Sequence, residues 1–240
     1  MIGSLIGILR EEACRRGANK QYDMNQLQFF ESILNRSQLS IRQFRSILEF
    51  GCGFGRLTRY FFALAPEARI SGCDISAKDI LWCRKQHPQG RFLINQAKPP
   101  TPFTDEEFDF IYSYSVFTHL SEKNHLDWLK DLSRILKSGG IMLHTLHSPL
   151  CLKRVQMFSP QRLEKYQLGG TPEQFLRSRT GYHYIPFGPA TPEYGLTILT
   201  KEYVSQTWPK QGNLHILDFI EGAIEAYPEG CQDVVVLRKA

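Results

Sequence analysis

The chain has 240 residues, of which 42% are hydrophobic, so it can bury one substantial core and is more consistent with one domain than with two. Its net charge is +5 at pH 7, but lysine and arginine are spread along the chain and do not form the dense blocks of nucleic-acid-binding arms. The six cysteines form no CxxC pair and no cluster with histidine, which disfavours a metal site and a disulfide framework.

The N-terminal segment, residues 1–45, is predicted to be helical. Leu27, Phe30, Ile33 and Leu34 recur at helical spacing and lead into the first strand. The apolar stretch at the start is too short to span a bilayer and lacks the flanks of a signal peptide, so no membrane attachment is expected. Reduced cysteines together with the missing export signal favour a cytoplasmic location.

Strand and helix signals alternate through the central part of the chain. Runs of strand type are predicted at Ser46–Phe50, "ARISGCD", "RFLIN", "FDFIYSYSVF" and "GIMLHTLH". Amphipathic helices are predicted before Pro66, before Pro88 and over Ser121–Lys137, the last with Gly139 as its C-cap. Such alternation predicts a parallel sheet with helices on both faces.

The C-terminal third first breaks this alternation and then resumes it. Residues 148–196 are rich in proline, glycine and aromatic residues and are predicted to be an irregular insertion, a substrate cap, with short helical patches near 160–167 and 172–178. A helix with Thr200 as its N-cap and two strands, "LHILDFI" and "QDVVVLRK", follow. Only about ten residues separate these strands, too few for a helical crossover, so they are expected to be antiparallel.

Three glycines lie between the first strand and its helix. Gly51, Gly53 and Gly55 permit positive φ and place no Cβ between the backbone and a ligand. Their spacing, Glu-x-Gly-x-Gly-x-Gly, differs from the G-x-G-x-x-G of dinucleotide sites. Asp74 ends the next strand, where a carboxylate can accept hydrogen bonds from both hydroxyls of a ribose. A nucleoside without a pyrophosphate is predicted here, and a tight turn without a ligand is the alternative.

These features resemble the S-adenosylmethionine-dependent methyltransferases of the class I, seven-stranded, Rossmann-like fold. "LEFGCGFGR" is similar to the first motif of that family, "GCDIS" to the second, and "LSRILKSGGIMLHT" to its helix, turn and fifth strand. The resemblance runs from about Leu27 to the C-terminus. It implies an α/β fold as one domain, residues 1–240, with a doubly wound, mostly parallel sheet. The strand order would be 3-2-1-4-5-7-6, with the last strand antiparallel and helices on both faces.

The resemblance also implies which residues bind S-adenosylmethionine and its product, S-adenosylhomocysteine. Asp74 would hold the ribose hydroxyls, Ile75 would pack on the adenine, and Glu49 would lie near the amino group of the cofactor. Gln96 stands where many relatives have an aspartate that accepts from the adenine amino group, and its amide oxygen could do the same. Ordinary packing is an open alternative for the residues that end the fourth strand. The implied cofactor-binding residues are Glu49, Gly51, Cys52, Gly53, Gly55, Arg56, Asp74, Ile75, Ser76, Gln96, Ala97, Tyr114, Ser115 and Val116.

Two histidines are candidates for a catalytic base. A hydroxyl acceptor would gain from such a base, and histidine is the usual choice near neutral pH. His119 follows the fourth strand, although a capping role before the next helix is equally open, and His183 lies in the segment assigned to the acceptor. His144 and His147, around the end of the fifth strand, leave a core role open for one of the two.

The resemblance implies a methyltransferase that acts on an oxygen or nitrogen of a small-molecule acceptor. The aromatic and basic residues of 148–196 suit an apolar or anionic small molecule. Methylation of tRNA, other nucleic acid or protein is an alternative, although "YSYSVF" stands where a nucleic-acid methyltransferase would have an Asn-Pro-Pro-Tyr tetrad. A regulatory protein that binds the cofactor without turnover and a nicotinamide-dependent oxidoreductase are the others. The acceptor and the oligomeric state are not defined by the sequence.

Overall fold

The structure is a computed structural model that describes residues 30–158, 177, 181–189, 193–224 and 232–240, without the side chains of 154–158 and 223–224. The predicted helical patches near 160–167 and 172–178 lie outside the described residues, apart from residue 177, and so do residues 1–29. Each helix within the described ranges is too short or too polar to cross a bilayer.

One seven-stranded sheet forms the centre of the fold. Its order is β3-β2-β1-β4-β5-β9-β8, in which β9 runs antiparallel to β5 and to β8, while a separate hairpin pairs β6 with β7. Counted by its own strands only, the sheet has the predicted order 3-2-1-4-5-7-6, which is confirmed. The strands are β1 (Ser46–Phe50), β2 (Arg69–Asp74), β3 (Arg91–Ile94), β4 (Phe108–Ser113), β5 (Leu136–His147), β6 (Tyr182–Pro186), β7 (Gly195–Leu199), β8 (Leu214–Ile224) and β9 (Gln232–Lys239).

The helices begin and end close to where the sequence predicts. Ser76 Oγ accepts from the Asp79 amide at 3.3 Å, and Thr200 Oγ1 accepts from the Tyr203 amide at 3.2 Å, so both predicted N-caps are confirmed. The helices are α1 (residues 30–36), α2 (Thr58–Leu64), α3 (Ala77–Gln86), α4 (Glu122–Ile135), α5 (Pro149–Phe158) and α6 (Lys201–Thr207), and 3₁₀ turns lie at Ile41–Gln43 and Trp208–Gln211.

Helices cover both faces of the sheet, as predicted. Ile47 of β1 packs with α1 and α2 on one face, whereas the next residue, Leu48, packs with α4 on the other. Val234 and Val235 of β9 divide between the same two cores. Successive side chains of a strand point to opposite faces, so a strand buried on both must be apolar at every position, which explains the continuous apolar runs in the sequence.

The junction between α4 and β5 differs from the prediction. The helix ends at Ile135, before Lys137, and Gly139 lies inside β5 and not at a helix C-cap. Leu136 is fully buried and pairs with Phe108 of β4. This long-range pairing outweighs the helical spacing of the local sequence and ends the helix early.

Residues 148–196 are more regular than predicted. They contain α5 and β6, and β7 begins at Gly195. The Gly195 amide donates to the His119 carbonyl and the Thr197 amide to the Thr118 carbonyl, each at 2.9 Å. The prediction of an irregular insertion is therefore wrong for these elements. Their proline-rich, glycine-rich composition hides the strands, and the hydrogen bonds that hold β7 come from the segment after β4, far away in the sequence.

Candidate active site

The turn after β1 has positive φ at each of its glycines: +75° at Gly51, +51° at Gly53 and +76° at Gly55. A Cβ on Gly51 would lie 2.3 Å from Val116 Cγ2, so packing excludes a side chain there. A Cβ on Gly53 would meet no atom within 4 Å. The backbone at Gly53 is therefore open to a ligand, whereas Gly51 is required by the end of β4.

Asp74 is held in a fixed orientation beside this turn. Its Oδ2 accepts from the Gly53 amide at 2.7 Å, and its Oδ1 accepts from the Ser76 amide at 2.9 Å. Each carboxylate oxygen keeps a further lone pair for another donor. The structure thus brings the glycine turn and the end of β2 together, as the sequence predicts.

An apolar flank lies next to Asp74. Ile75 is 62% exposed, and Ile94, which pairs with Asp74 across β2 and β3, is 41% exposed. Gln96, in the loop after β3, is exposed as well, as is its neighbour Ala97. Exposed isoleucines beside a fixed carboxylate offer one apolar and one polar surface to the same ligand.

Other members of the predicted set lie inside the turn and not on its surface. Cys52 is buried and its Sγ donates to the Gly53 carbonyl at 3.6 Å. A Cβ on Gly55 would lie 3.1 Å from Cys83 Sγ on α3. These residues support the turn from within, since they fill the space between it and α3.

Glu49 lies beneath the turn. Its buried carboxylate accepts from the Tyr112 hydroxyl at 2.7 Å and from the Thr58 hydroxyl. Burial raises the pKa of Glu49 to about 7, while hydrogen bonds from Thr58 and Tyr112 and the Arg56 guanidinium oppose that rise. The Arg56 guanidinium also lies 5.5 Å from the centre of the Tyr114 ring. The predicted contact of Glu49 with the cofactor stays a prediction.

The end of β4 joins three strands at this edge of the sheet. Ser115 has a φ of +56°, its amide donates to Thr145 Oγ1 of β5 at 2.8 Å, and its hydroxyl accepts from Gln232 Nε2 of β9 at 2.6 Å. Tyr114 is buried, and Val116 packs against Gly51. The three residues therefore lie close to the glycine turn, where the sequence predicts them.

His119 lies among aromatic rings near the β6–β7 hairpin. Its ring centre is 4.9 Å from that of Tyr194, 5.8 Å from that of Phe187 and 6.3 Å from that of His147. Its Nδ1 lies 2.9 Å from the Gly195 carbonyl oxygen, which can only accept, so Nδ1 carries the proton and Nε2 the lone pair. Burial lowers the pKa of His119, and the ring is therefore neutral at pH 7.

The second histidine candidate has a different environment. His183 is 1% exposed within the hairpin, where it pairs with Ile198. A buried ring of this kind cannot meet a substrate without a rearrangement of the hairpin. The structure therefore does not bring His183 to an open surface beside His119.

Four residues of this region were not predicted as site residues. His147 ends β5 and pairs directly with Gln232, the first residue of β9, and Phe187 and Tyr194 flank the tip of the hairpin. A histidine at the end of a predicted strand was the available signal for His147. The position of Gln232 beside it depends on strand register, which the sequence alone does not show.

A separate cavity of about 420 Å³ lies away from these residues. Among its described lining residues are Lys130, Arg134, Lys210 and Lys239, and none of its lining residues is acidic. Lys239 ends β9, which is antiparallel to β5, so the cavity lies at the amino ends of the parallel strands. It offers no carboxylate for a ribose and is not a candidate for the cofactor site.

Comparison with known proteins decides the family. A model of the methyltransferase domain matches residues 48–144, from β1 through most of β5, which includes the glycine turn, Asp74 and His119. The chain carries a methyltransferase domain of the class I, S-adenosylmethionine-dependent family. The match to this family model ends before the β6–β7 hairpin, so the hairpin lies outside the part of the methyltransferase that it describes.

Curated relatives match the methyltransferase over a limited length. It is 28% identical over 102 residues to a fatty-acid O-methyltransferase of Mycolicibacterium smegmatis, which is 42% of this chain and 36% of that protein. It is 27% identical over 114 residues to a malonyl-[acyl-carrier protein] O-methyltransferase of Legionella pneumophila, which is 47% of this chain and 39% of that protein. The chain thus spans well under half the length of these relatives.

A solved structure shows the same fold over a greater length. The 1,6-didemethyltoxoflavin-N1-methyltransferase of Burkholderia thailandensis, solved with 1,6-didemethyltoxoflavin and S-adenosylhomocysteine, superposes with a TM-score of 0.60. The comparison covers 99% of this chain and 90% of that chain at 13% identity. At so low an identity the likeness shows the class I fold and nothing about the acceptor.

Proposed function

We propose that this methyltransferase transfers a methyl group from S-adenosylmethionine to an oxygen or nitrogen of a small molecule and leaves S-adenosylhomocysteine. The observation that carries the proposal is the pairing of an open backbone at Gly53 with a carboxylate at Asp74 that Gly53 itself orients. The match to a methyltransferase domain over residues 48–144 supports it.

The residues around the turn fit an adenosine-bearing cofactor. Asp74 is held by two backbone amides and keeps lone pairs for the ribose hydroxyls. The exposed side chain of Ile75 offers apolar surface to the adenine, and the exposed amide of Gln96 offers an oxygen to its amino group. When bound, S-adenosylmethionine supplies an electrophilic methyl group, and the electron pair of the broken carbon–sulfur bond stays on sulfur.

His119 is the residue best placed to act as a base. Its Nε2 carries a lone pair because Nδ1–H donates to the Gly195 carbonyl, and the lowered pKa keeps that lone pair available at pH 7. In this proposal Nε2 accepts the proton that the acceptor loses as it is methylated. A base of this kind contributes roughly 10²–10⁴-fold, and holding the reactants together contributes about 7–11 kcal/mol. His183 is less suited because it is buried.

The names of the relatives support an oxygen acceptor and leave nitrogen open. The two curated relatives are named for O-methylation, and the Burkholderia thailandensis enzyme is named for N1-methylation. The exposed rings of Phe187 and Tyr194 beside His119 support a small-molecule acceptor, since aromatic walls are common in such pockets.

Two measurements test this function in sequence. Calorimetric titration with S-adenosylhomocysteine and with NAD should show binding of the first only. Incubation with methyl-labelled S-adenosylmethionine and a small-molecule cell extract should then yield a labelled product that mass spectrometry can identify. Binding of NAD in place of S-adenosylhomocysteine would end the proposal, and binding without any labelled product would favour a regulatory protein over an enzyme.

A further inference from the structure

Lone-pair acceptors gather around His119, beginning with His147. The Thr197 amide already donates to the Thr118 carbonyl at 2.9 Å, so the Thr197 backbone group that the His147 ring can meet is the carbonyl oxygen. His147 Nδ1 is buried and has no partner among the described residues, so Nε2–H makes that bond. Nδ1 of His147 therefore carries a lone pair, as does Nε2 of His119.

A third acceptor lies on the strand next to His147. Gln232 pairs directly with His147 across β5 and β9. Its Nε2 donates to the Ser115 hydroxyl at 2.6 Å, while its buried Oε1 meets no donor within the described part of the chain. A buried acceptor left without a donor costs free energy, because its bond to water has been lost. The region therefore favours a ligand that brings donors.

We infer that the group methylated is an uncharged hydroxyl or N–H that donates to the lone pairs of His119 and His147, and that it is not a carboxylate. This inference rests on the proposed function. A carboxylate offers only lone pairs, which would face the lone pairs of both rings. The inference also narrows the sequence-based expectation of an apolar or anionic acceptor, since an anionic group would have to lie elsewhere on the molecule.

The neighbouring cations do not favour a carboxylate here. Lys98 lies 3.4 Å from Glu193 and forms an ion pair with it. Glu193 also accepts from the Ser121 hydroxyl at 2.6 Å and from the Asn124 amide at 3.0 Å, so it is tied to the start of α4. Arg56 lies over the Tyr114 ring and near Glu49. Both cations are thus engaged by other groups.

The rings around His119 indicate what carries the donor. Phe187 is 51% exposed and Tyr194 is 48% exposed, and their ring centres lie 5.5 Å apart in an edge-to-face arrangement. Exposed aromatic faces next to the base suit a molecule that is itself a ring, either a phenol or a sugar. The shared chemistry of the two is a ring hydroxyl.

The chemistry of the labelled product tests the inference directly. The full chain is incubated with methyl-labelled S-adenosylmethionine and a small-molecule extract, and the products are treated with mild alkali. An ether or an N-methyl product keeps its label, whereas an ester from a carboxylate releases it as volatile methanol. Retained label supports the inference, and released methanol overturns it while leaving the methyltransferase function intact. A test with methyl glycosides and with phenols then separates the two ring classes, and absence of any labelled product overturns both proposals.

A second measurement needs no acceptor. Nitrogen-15 NMR of the histidine rings at pH 7 should show His119 Nε2 and His147 Nδ1 without protons, and a proton on either atom would contradict the inference. His147→Phe, which keeps a ring and removes the lone pair, should raise the KM for the acceptor by about tenfold with unchanged S-adenosylhomocysteine affinity. His215→Phe, at an exposed position of β8, is the matched control and should change neither quantity.

Discussion

The Asp74 carboxylate accepts the Gly53 backbone amide at 2.7 Å, and this single bond joins the ends of β1 and β2 at the edge where the glycine turn is open. The same carboxylate accepts the Ser76 amide at the start of α3. Asp74 is therefore both part of the fold and a prepared acceptor, because two amides fix its orientation before a ligand arrives.

The first prediction concerns Asp74→Asn. We expect the affinity for both S-adenosylmethionine and S-adenosylhomocysteine to fall by roughly 10- to 100-fold, since bonds from ribose hydroxyls to a charged group contribute about 1.5–3 kcal/mol each. Calorimetric titration measures this loss. Asp79→Asn, in the first turn of α3, is the control and should keep wild-type affinity, because the Asp79 backbone amide and not its side chain meets Ser76. Equal affinities for the wild type and Asp74→Asn would remove the ribose from this site.

The glycines of the turn should respond differently to alanine. Gly51→Ala places a Cβ 2.3 Å from Val116 and also strains a φ of +75°, so we expect it to lower the free energy of unfolding by about 2–5 kcal/mol. Gly53→Ala adds only the strain, about 1–2 kcal/mol, but its Cβ enters the open face and should reduce S-adenosylhomocysteine binding.

Urea unfolding and titration together separate these two effects. In a Val116→Ala background, Gly51→Ala should cost less than in the wild type, since the contact that excludes the Cβ has been removed. If Gly51→Ala were as mild as Gly53→Ala in the wild type, the assigned clash would be wrong.

Glu49 predicts a pH dependence of stability. Its pKa is raised to about 7 in the folded protein from 4.5 when unfolded. Its contribution is therefore fully present below pH 4.5 and is lost as the pH rises to 7. We expect the free energy of unfolding of the wild type, minus that of Glu49→Gln, to fall by up to about 3 kcal/mol between pH 4.5 and pH 7.5 without cofactor.

The difference between the two proteins isolates Glu49 from the buried histidines. Burial lowers the pKa of His144 and of His147 to about 3, so their contribution is lost as the pH falls below 6.5, the opposite direction. This effect is the same in both proteins and cancels. Chemical denaturation at several pH values checks the result, and a difference that stays constant with pH would show that Glu49 is ionised throughout.

The two candidate bases should separate by their kinetics. His119→Asn is expected to lower kcat by roughly 10²–10⁴-fold while S-adenosylhomocysteine affinity stays within about twofold. Since the pKa of His119 is lowered, wild-type turnover should be level above pH 6.5 and decline only below it. His183→Asn should reduce stability because His183 is buried, yet leave the kcat of the folded protein unchanged. The reverse pattern would assign the base to His183.

Local patterns in the sequence were sufficient for the framework of this protein. Alternating runs identified the seven strands of the sheet, and the Ser76 and Thr200 caps and the prolines located the helix ends. The three closely spaced glycines and Asp74 identified the turn that the structure leaves open at Gly53. Each of these depends on neighbours within a few residues, so the chain carries the information locally.

Tertiary structure alone decided the features that join distant segments. Leu136 ends α4 because Phe108 pairs with it, and the β6–β7 hairpin forms beside the chain that follows β4. Glu49 is buried because Thr58 and Tyr112 surround it, and the lone pair on His119 follows from the carbonyl of Gly195, 76 residues away. Periodicity and spacing report which face a residue prefers. The protonation of a side chain and its access to a ligand depend on atoms that folding brings from elsewhere in the chain, and these decide the chemistry.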